Sequence, residues 1–385
     1  MKVLYLTSVY PNKNFPQYGI FCHQQVKELI KMGVDVDVYV VMPFYSKDWF
    51  APRWHYEGVD IHYLRFFKVP FSRNYLNLGK RVYKALRGEN IFFSQYNLVH
   101  AQGPISTGDA ARIINRKYGI PYVVHSHGLD VFLENNAVPN RVKKAVFKRC
   151  KDVFNGAGAI TCVSNKVAKN ITSRIGLQEK CITVYNGVDC SVFKPQPKDT
   201  VSNDIKIISV GNLVDLKGHD LSVSAVKLLL DEGYNVHLDI FGRGPTEQKL
   251  NKQVQDLGIE NAVSFKGYVS YQEIANALTL YDVFLLPSWY EALGCVYLEA
   301  MASGLISIGC KGNGIDEIIG DGVNGFLVEP HSVEDIFQTI KRIINLSEEE
   351  QKQIKNAARQ TVETKYGWKN SAESLLSAYE STLNQ

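Results

Sequence analysis

Two carboxylates mark the stretch of this chain best suited to chemistry. Glu291 and Glu299 stand with seven residues between them in Pro-Ser-Trp-Tyr-Glu-Ala-Leu-Gly-Cys-Val-Tyr-Leu-Glu-Ala-Met-Ala-Ser, residues 287–303. The stretch follows an apolar run, Val283-Phe284-Leu285-Leu286, which reads as a buried parallel strand. From Gly294 to Ser303 the pattern turns helical. Glu291 therefore falls in a strand-to-helix turn, at the positive end of a helix dipole, and Glu299 about two turns further along. Two glutamates on a surface helix are ordinarily two solvated charges. These two sit between Tyr290 and Ala292 and between Leu298 and Ala300, where an unpaired charge is expensive. A ligand rich in hydroxyl groups would supply partners.

The rest of the chain reads as the scaffold those glutamates need. Apolar runs at 205–210, 236–241, 263–267 and 306–309 alternate with helical patterns, a βα repeat. The first half opens the same way, with a strand at 2–7, a helix at 21–32 carrying Val26, Leu29 and Ile30 on one face, and a strand at 34–41. Further strands are expected at 97–101, 122–125 and 159–164, and helices at 110–118 and 166–175. Residues 43–78 mix Pro, Trp, Phe, Tyr and Arg irregularly and read as loops and short strands. Polar residues 196–203 read as a linker, and helices at 333–346, 348–364 and 370–384 finish the chain. A chain of 385 residues exceeds one ordinary core, so two α/β domains are expected.

Composition narrows the class. With 45% hydrophobic and 21% charged residues the chain is of globular type. Its net charge of +4 hides a split: residues 1–190 carry 26 Lys+Arg against 13 Asp+Glu, and residues 191–385 carry 17 against 26. A basic half beside an acidic one suggests that the first half faces a polyanion. The seven cysteines are scattered without a C-x-x-C, which argues for free thiols in a reducing cytoplasm and against a zinc site. Residues 1–10 read as a strand rather than a signal peptide, and no apolar run approaches the ~20 residues of a membrane span.

Other positions qualify as site residues. Gly19 stands just before the first helix, either as a plain turn glycine or as bare backbone open to a phosphate or sugar. His125-Ser126-His127-Gly128-Leu129-Asp130 closes a strand, where a side chain is well placed for a ligand; Asp130 orients the next loop or caps a helix near Val131. Arg141, Lys143, Lys144, Lys148, Arg149 and Lys151 form a basic amphipathic helix, either a solvated face or one suited to an anionic membrane surface. No nucleic-acid module accompanies it. Gly242-Arg243-Gly244-Pro245 lacks the third glycine of a dinucleotide fingerprint. The only D-x-D, Asp35-Val36-Asp37, lies in an alternating strand and reads as structural, so no metal site is expected.

Together these segments resemble the retaining GT-B glycosyltransferases of family 4. That family writes P-S-x-x-E-G-F-G-x-x-x-x-E-A-M-A-x-G where this chain has residues 287–304, with Ala292-Leu293 in place of Gly-Phe. It writes H-G-x-D at His127–Asp130, N-G-V-D-x-x-x-F-x-P at Asn186–Pro195 and G-x-G-P at Gly242–Pro245. Its G-R-L-x-x-x-K-G falls on Gly211–Gly218, where Asn212 replaces Arg, and its G-G-x-P-E falls on Asn313–Glu317, where Asn313 and Asp316 replace Gly and Pro. Residues 10–21, of the form Y-P-N-x-x-x-P-x-Y-G-I-F, are similar to those of enzymes of teichuronic acid, capsule and exopolysaccharide synthesis.

The resemblance implies two Rossmann-like domains facing each other across a cleft: residues 1–193 on the acceptor side, 194–369 on the donor side, and a last helix, 370–385, crossing back. It implies transfer of a hexose, with retention, from a nucleoside diphosphate to a glycan or lipid-diphosphate-linked acceptor in cell-surface polysaccharide synthesis. UDP is the commonest donor nucleotide and GDP the alternative; no metal or other cofactor is implied. His127 and Glu291 would work at the donor sugar. Gly19, Asn212, Lys217, Arg243, Gly294 and Gly314 would hold the diphosphate, with the amides of 312–315, and Glu299 the ribose. Lys217 would be the main fixed cation, since Asn212 brings hydrogen bonds but no charge. A sugar-nucleotide epimerase or a phosphorylase of the same fold stays open, as does a non-catalytic binding subunit, which Asn212 favours.

Overall fold

The computed structural model describes residues 1–44, 53–66, 76–128, 140–196 and 204–385. In the first half the chain runs β1 (Lys2–Thr7), α1 (Ile20–Lys31), β2 (Asp35–Pro43), β3 (Arg53–Tyr56), β4 (Val59–Phe66), α2 (Leu78–Gly88), β5 (Leu98–Gln102), α3 (Asp109–Tyr118), β6 (Tyr122–Ser126), α4 (Asn140–Gly156), β7 (Ala159–Cys162), α5 (Asn165–Ile175) and β8 (Cys181–Thr183). The strands form one sheet in the order β3-β4-β2-β1-β5-β6-β7-β8. All neighbours are parallel except β3 and β4. All five residues of β5 and of β6 are buried, as expected of parallel strands covered on both faces.

Two elements here go beyond the sequence expectation. Between residues 43 and 78 an eight-residue strand, β4, lies parallel to β2, with Ile61 opposite Val38. Its alternation is blurred because Tyr63 and Leu64 are both buried beside the half-buried Arg65. Helix α2 was not anticipated; it buries Leu78, Val82, Tyr83 and Leu86 among four Lys and Arg residues, a narrow apolar stripe.

The second half runs β9 (Ile205–Val210), α6 (His219–Asp231), β10 (Val236–Phe241), α7 (Glu247–Asp256), β11 (Val263–Gly267), α8 (Tyr271–Leu278), β12 (Val283–Leu285), α9 (Cys295–Ala302), β13 (Ile306–Cys310), β14 (Phe326–Val328), α10 (Val333–Ile344) and α11 (Glu348–Lys365). Its six-stranded sheet has the order β11-β10-β9-β12-β13-β14, parallel throughout. Helix α12 (Trp368–Leu383) closes the chain.

Two compact units result: residues 1–186 with 368–385, and residues 187–367. The division lies at 186 rather than at 193 because the intervening segment is fastened inside the second unit. The N–H of Val188 donates to the Tyr366 carbonyl at 2.8 Å, and the Arg359 guanidinium donates to the carbonyls of Cys190, Phe193 and Ala302. Helix α12 belongs to the first unit, where Ala372, Leu375, Ala378 and Tyr379 join the core of β1, β2 and α1. A side chain such as Leu375 taken wholly out of water contributes roughly 1.5–3 kcal/mol, and an alanine methyl about 0.8 kcal/mol. Among the described residues no helix is long and apolar enough to cross a membrane.

In each sheet the connections reverse direction once, between β1 and β5 and between β9 and β12. The carboxyl ends flanking such a reversal are where open α/β sheets bind ligands.

Candidate active site

In the second unit the reversal brings Lys217 and Glu291 together. After β9 the chain passes Gly211 and Asn212, makes a short turn at Asp215–Lys217 and enters α6 through Gly218. After β12 it passes Pro287 and Ser288 and reaches Glu291 before α9, whose N-cap is Gly294 at φ +83. The Lys217 ammonium and the Glu291 carboxylate form an ion pair, both largely shielded from solvent. Such a pair is worth more than an exposed one and costs more to leave half-made. The hydroxyl of Tyr297 donates to the Leu286 carbonyl, tying α9 to the end of β12.

Asn313 holds this turn in place. The Glu291 N–H donates to its Oδ1 at 2.9 Å, and its Nδ2 donates to the Ser288 carbonyl at 2.7 Å. Asn313 is buried, so neither bond competes with water. Gly314 comes so close to the turn that a Cβ would lie 1.9 Å from the Ala292 carbonyl oxygen; only glycine fits there. The expectation that the amides of 312–315 all face a ligand needs correcting. The Gly314 N–H donates to the Glu291 carbonyl at 3.3 Å, and the Gly312 N–H donates to the Asp316 carboxylate at 2.8 Å. The two residues that depart from the family pattern are thus the ones that rebuild this loop.

Glu299 lies on α9 with only part of its side chain reaching solvent. Among the described residues nothing hydrogen-bonds its carboxylate, and burial pushes it up to about 7 from the ordinary 4.5. Tyr271 lies close enough for the Glu299 charge to raise its phenol, after burial itself, and packs edge-on against Phe193 with ring centroids 5.0 Å apart. Asn212 and Arg243 are both exposed at the mouth of the β9 and β10 loops. The Arg243 carbonyl accepts from the Leu213 N–H at 3.0 Å, and its guanidinium passes Gly267. Under this loop lies the buried ring of His219, its Nδ1 3.1 Å from the Ser209 hydroxyl; burial, with the Lys217 charge nearby, pushes it down to about 4.

In the first unit the reversal brings Gly19 and His127 to one sheet edge. Gly19 caps α1 at φ +70, and a Cβ there would lie 2.6 Å from the Val9 carbonyl carbon, so a side chain is excluded on both counts. Two residues on, Phe21 meets the His127 ring, centroids 4.9 Å apart. His127 follows β6, and its Nε2 lies 2.6 Å from Oε1 of Gln102 at the end of β5. Burial pushes His127 down to about 4 and His125 well below the ordinary value, so both rings are neutral near pH 7. His125 turns inward, its Nδ1 2.9 Å from the Thr161 hydroxyl.

Sequence reasoning missed Gln102, Asn313, His219 and Tyr271. Only Asn313 left a signal, as a departure inside a motif. Asp35 and Asp37 are spent on Lys2, at 3.3 and 3.2 Å, and Asp37 also accepts from the Tyr96 hydroxyl, which makes the D-x-D structural. Within the basic helix, Arg149 is consumed by the buried Asp109 at 2.9 Å, while Lys144, Lys148 and Lys151 remain exposed. Asp130 lies outside the described residues, as do residues 197–203 of the expected linker.

Known proteins fit this architecture. Residues 193–361 match the family described as glycosyl transferases group 1, and residues 19–192 match glycosyltransferase family 4. A Bacillus subtilis protein named as a teichuronic acid biosynthesis glycosyltransferase is 26% identical over 367 residues, covering 89% of each chain. Among solved structures, sucrose-phosphate synthase from Thermosynechococcus elongatus aligns over 99% of this chain and 98% of its own with TM-score 0.78 and 17% identity. Anabaena HepE in complex with UDP and glucose aligns over 99% of this chain and all of its own (100%), with TM-score 0.74 and 19% identity. The chain has the GT-B fold and belongs to the group 1, family-4-like glycosyltransferases.

Proposed function

We propose that this glycosyltransferase moves a hexose from a UDP-sugar to a saccharide or lipid-diphosphate-linked glycan during cell-surface polysaccharide synthesis, with retention and without a metal or other cofactor. One observation carries the reading: an ammonium and two carboxylates stand after the two strands at which the second sheet reverses, one carboxylate paired with the ammonium and the other, among the described residues, without a hydrogen bond. Donor cleavage builds negative charge on the leaving diphosphate and positive charge on the anomeric carbon. Lys217 meets the first need. Its present partner, Glu291, holds the ammonium in place; an arriving diphosphate takes over that ammonium and frees Glu291 for the hydroxyls of the sugar. Arg243, exposed at the same mouth, adds a second cation, and Gly294 presents the start of α9 to the phosphate. Glu299 accepts two ribose hydroxyls and so gains the partners that the fold withholds.

His127, neutral by burial, contacts the sugar without adding charge to an already cationic centre, and Gly19 admits the substrate to the same edge of the first unit. No carboxylate is assigned as a covalent nucleophile, which supports a front-face displacement in which the leaving phosphate helps to deprotonate the acceptor. The UDP assignment draws support from HepE, whose complex holds UDP and glucose. The polysaccharide assignment draws support from the teichuronic acid relative. The exposed Lys144, Lys148 and Lys151 support peripheral docking on an anionic, cytoplasmic membrane face.

Calorimetric titration with UDP, GDP and ADP, with and without Mg2+, on wild type and Glu299→Ala tests the reading. UDP binding that needs no metal and is lost in the variant is expected. Binding of none of the three would overturn a nucleotide-dependent transferase, and binding of GDP alone would reassign the donor.

A further inference from the structure

We propose that Gln102, His100 and Tyr379 form a positioning relay that locks the His127 imidazole in one tautomer and one orientation, so that the C-terminal helix α12 completes the edge on which His127 stands. The catalytic consequence rests on the reading of His127 as sugar-facing; the relay itself rests on hydrogen bonds.

Oε1 of Gln102 can only accept, so the His127 Nε2 at 2.6 Å carries the hydrogen. The carboxamide nitrogen can only donate. One of its hydrogens goes to the Tyr5 hydroxyl at 2.5 Å and the other to the His100 Nε2 at 3.1 Å. With Nε2 as acceptor, the hydrogen of neutral His100 sits on Nδ1 and is donated to the Tyr379 hydroxyl at 2.8 Å. Tyr5 stacks on His100 with centroids 4.5 Å apart and planes 5° from parallel, which fixes that ring. The chain of contacts thus runs from β6 through β5 to α12.

Stability alone does not call for this arrangement. Tyr5, His100 and Tyr379 are fully buried and Gln102 is 5% exposed. Apolar side chains of like volume would hold the same core as well or better, and a polar network at such depth is tolerable only when its members are satisfied. What apolar residues cannot do is fix the tautomer of a histidine, the service that partners of this kind perform elsewhere. Among the described residues the titratable groups facing His127 are His125 on the preceding strand, with centroids 4.7 Å apart, and His100 on β5; Tyr5 on β1 reaches it through Gln102, and Tyr379 on α12 through His100 and Gln102. Phe21 of α1 closes another side. Burial pushes His100 down to about 3, with the His127 charge as a lesser cause, so the relay is uncharged near pH 7.

Nitrogen-15 NMR of the histidine side chains in the full chain tests the relay without any substrate. His127 is expected in the Nε2–H form and His100 in the Nδ1–H form. Gln102→Glu, which sets a carboxylate against the His127 N–H, is expected to raise the His127 titration by about 1–3 units. Tyr379→Phe, which keeps the shape of the core and covers the case in which Gln102→Glu does not fold, takes away the acceptor of the His100 Nδ1–H and is expected to weaken that tautomer's preference, which then rests on Gln102 alone. His127 in the Nδ1–H form in wild type, or an unmoved titration in folded Gln102→Glu, would overturn the relay. Kinetics follow on whichever of UDP-glucose, UDP-N-acetylglucosamine and GDP-mannose wild type turns over fastest. Tyr379→Phe is expected to lower kcat about tenfold with KM unchanged, the size of one buried hydrogen bond. Full kcat with a weakened tautomer preference would overturn the catalytic role. His127→Ala separates the two readings: if it keeps full kcat, the sugar-facing assignment fails while the tautomer result stands.

Discussion

The two sheet edges are built by one topological rule and filled with opposite chemistry. At the edge of the first unit the rings of His127, His125 and His100 are held neutral by burial, and those of His127 and His100 are joined through the Gln102 amide, with the Tyr379 phenol beyond His100. At the edge of the second, Lys217, Glu291 and Glu299 carry formal charge or, for Glu299, stand near the point of losing it. The difference follows from what each edge is proposed to meet. A diphosphate needs fixed cations, and a ribose needs acceptors held apart from water. A sugar at its reacting carbon is better served by rigid neutral dipoles, because a second cation there would oppose the positive charge that develops.

The contrast is most sharply broken at Lys217. Lys217→Ala removes the ammonium paired with Glu291 at the second edge and leaves that carboxylate partly buried without a partner. A fall in kcat/KM for the sugar nucleotide of about 10²–10³ is expected, the range for loss of one charge-stabilising donor. His127→Gln, which keeps a neutral donor at the first edge, should fall by less. If the two losses are equal, or their order is reversed, the division of labour is wrong.

Glu299 gives the next effect, and its sign follows from burial. Its carboxyl is raised to about 7, so near neutral pH it is only half ionised. A diol that donates to it favours the ionised form, so UDP binding weakens as pH falls below 7, by up to about tenfold per unit. In Glu299→Gln that dependence should vanish. Stability shows the mirror image. Because the folded value lies above the unfolded one, protonation favours the fold. The contribution is fully present below about 4.5 and is lost as pH rises through about 7. Glu299→Gln should therefore melt higher than wild type at pH 8, by up to roughly 2–3 kcal/mol of stability, and level with it near pH 4.5. A UDP affinity that is flat with pH in wild type would remove Glu299 from the ribose.

These two edges were unequally legible in the sequence. At the second the charged residues were legible, since they lie in short motifs beside strands whose apolar runs are unmistakable, while Asn313, His219 and Tyr271 were not. Val283–Leu285 and Ile306–Cys310 are continuous and wholly buried. The first was read only at its ends. Gly19 and His127 stand in motifs, but Gln102 and Tyr379 are 277 positions apart and are linked through His100 only because α12 folds back onto the first unit. No local pattern marks a glutamine as the bridge between two histidines. Asn313 failed for a different reason. It appears in the sequence as a missing glycine, and only the bonds to Glu291 and Ser288 show what the exchange adds. Asn313→Gly, closer to the family pattern, should keep the close approach but lose both bonds. A rise in KM of about tenfold is expected, as the Glu291 turn loses its tether; unchanged kinetics would make the tether idle.

The smallest expected effect sharpens the comparison from the other side. Asn212 is exposed, and nothing hydrogen-bonds its side chain among the described residues. It stands in the loop that also holds Lys217, within the reach of a longer side chain to the same mouth. Asn212→Arg adds a cation to the edge argued to need them, without disturbing a buried group. An exposed charge interacts through water and is screened by salt, so the gain is about 1 kcal/mol at most. UDP should bind up to about fivefold tighter at low salt, and the advantage should shrink at 0.5 M NaCl. The matching addition at the first edge, Gln102→Lys, should lower kcat. A cation there is unpaired, buried beside His127 and His100, and aligned against the charge that develops on the sugar. If both additions weaken turnover equally, the two edges do not differ in the sign of charge that they accept. If Asn212→Arg tightens UDP binding and leaves kcat unchanged, the loop is a binding element whose lost arginine cost affinity rather than chemistry.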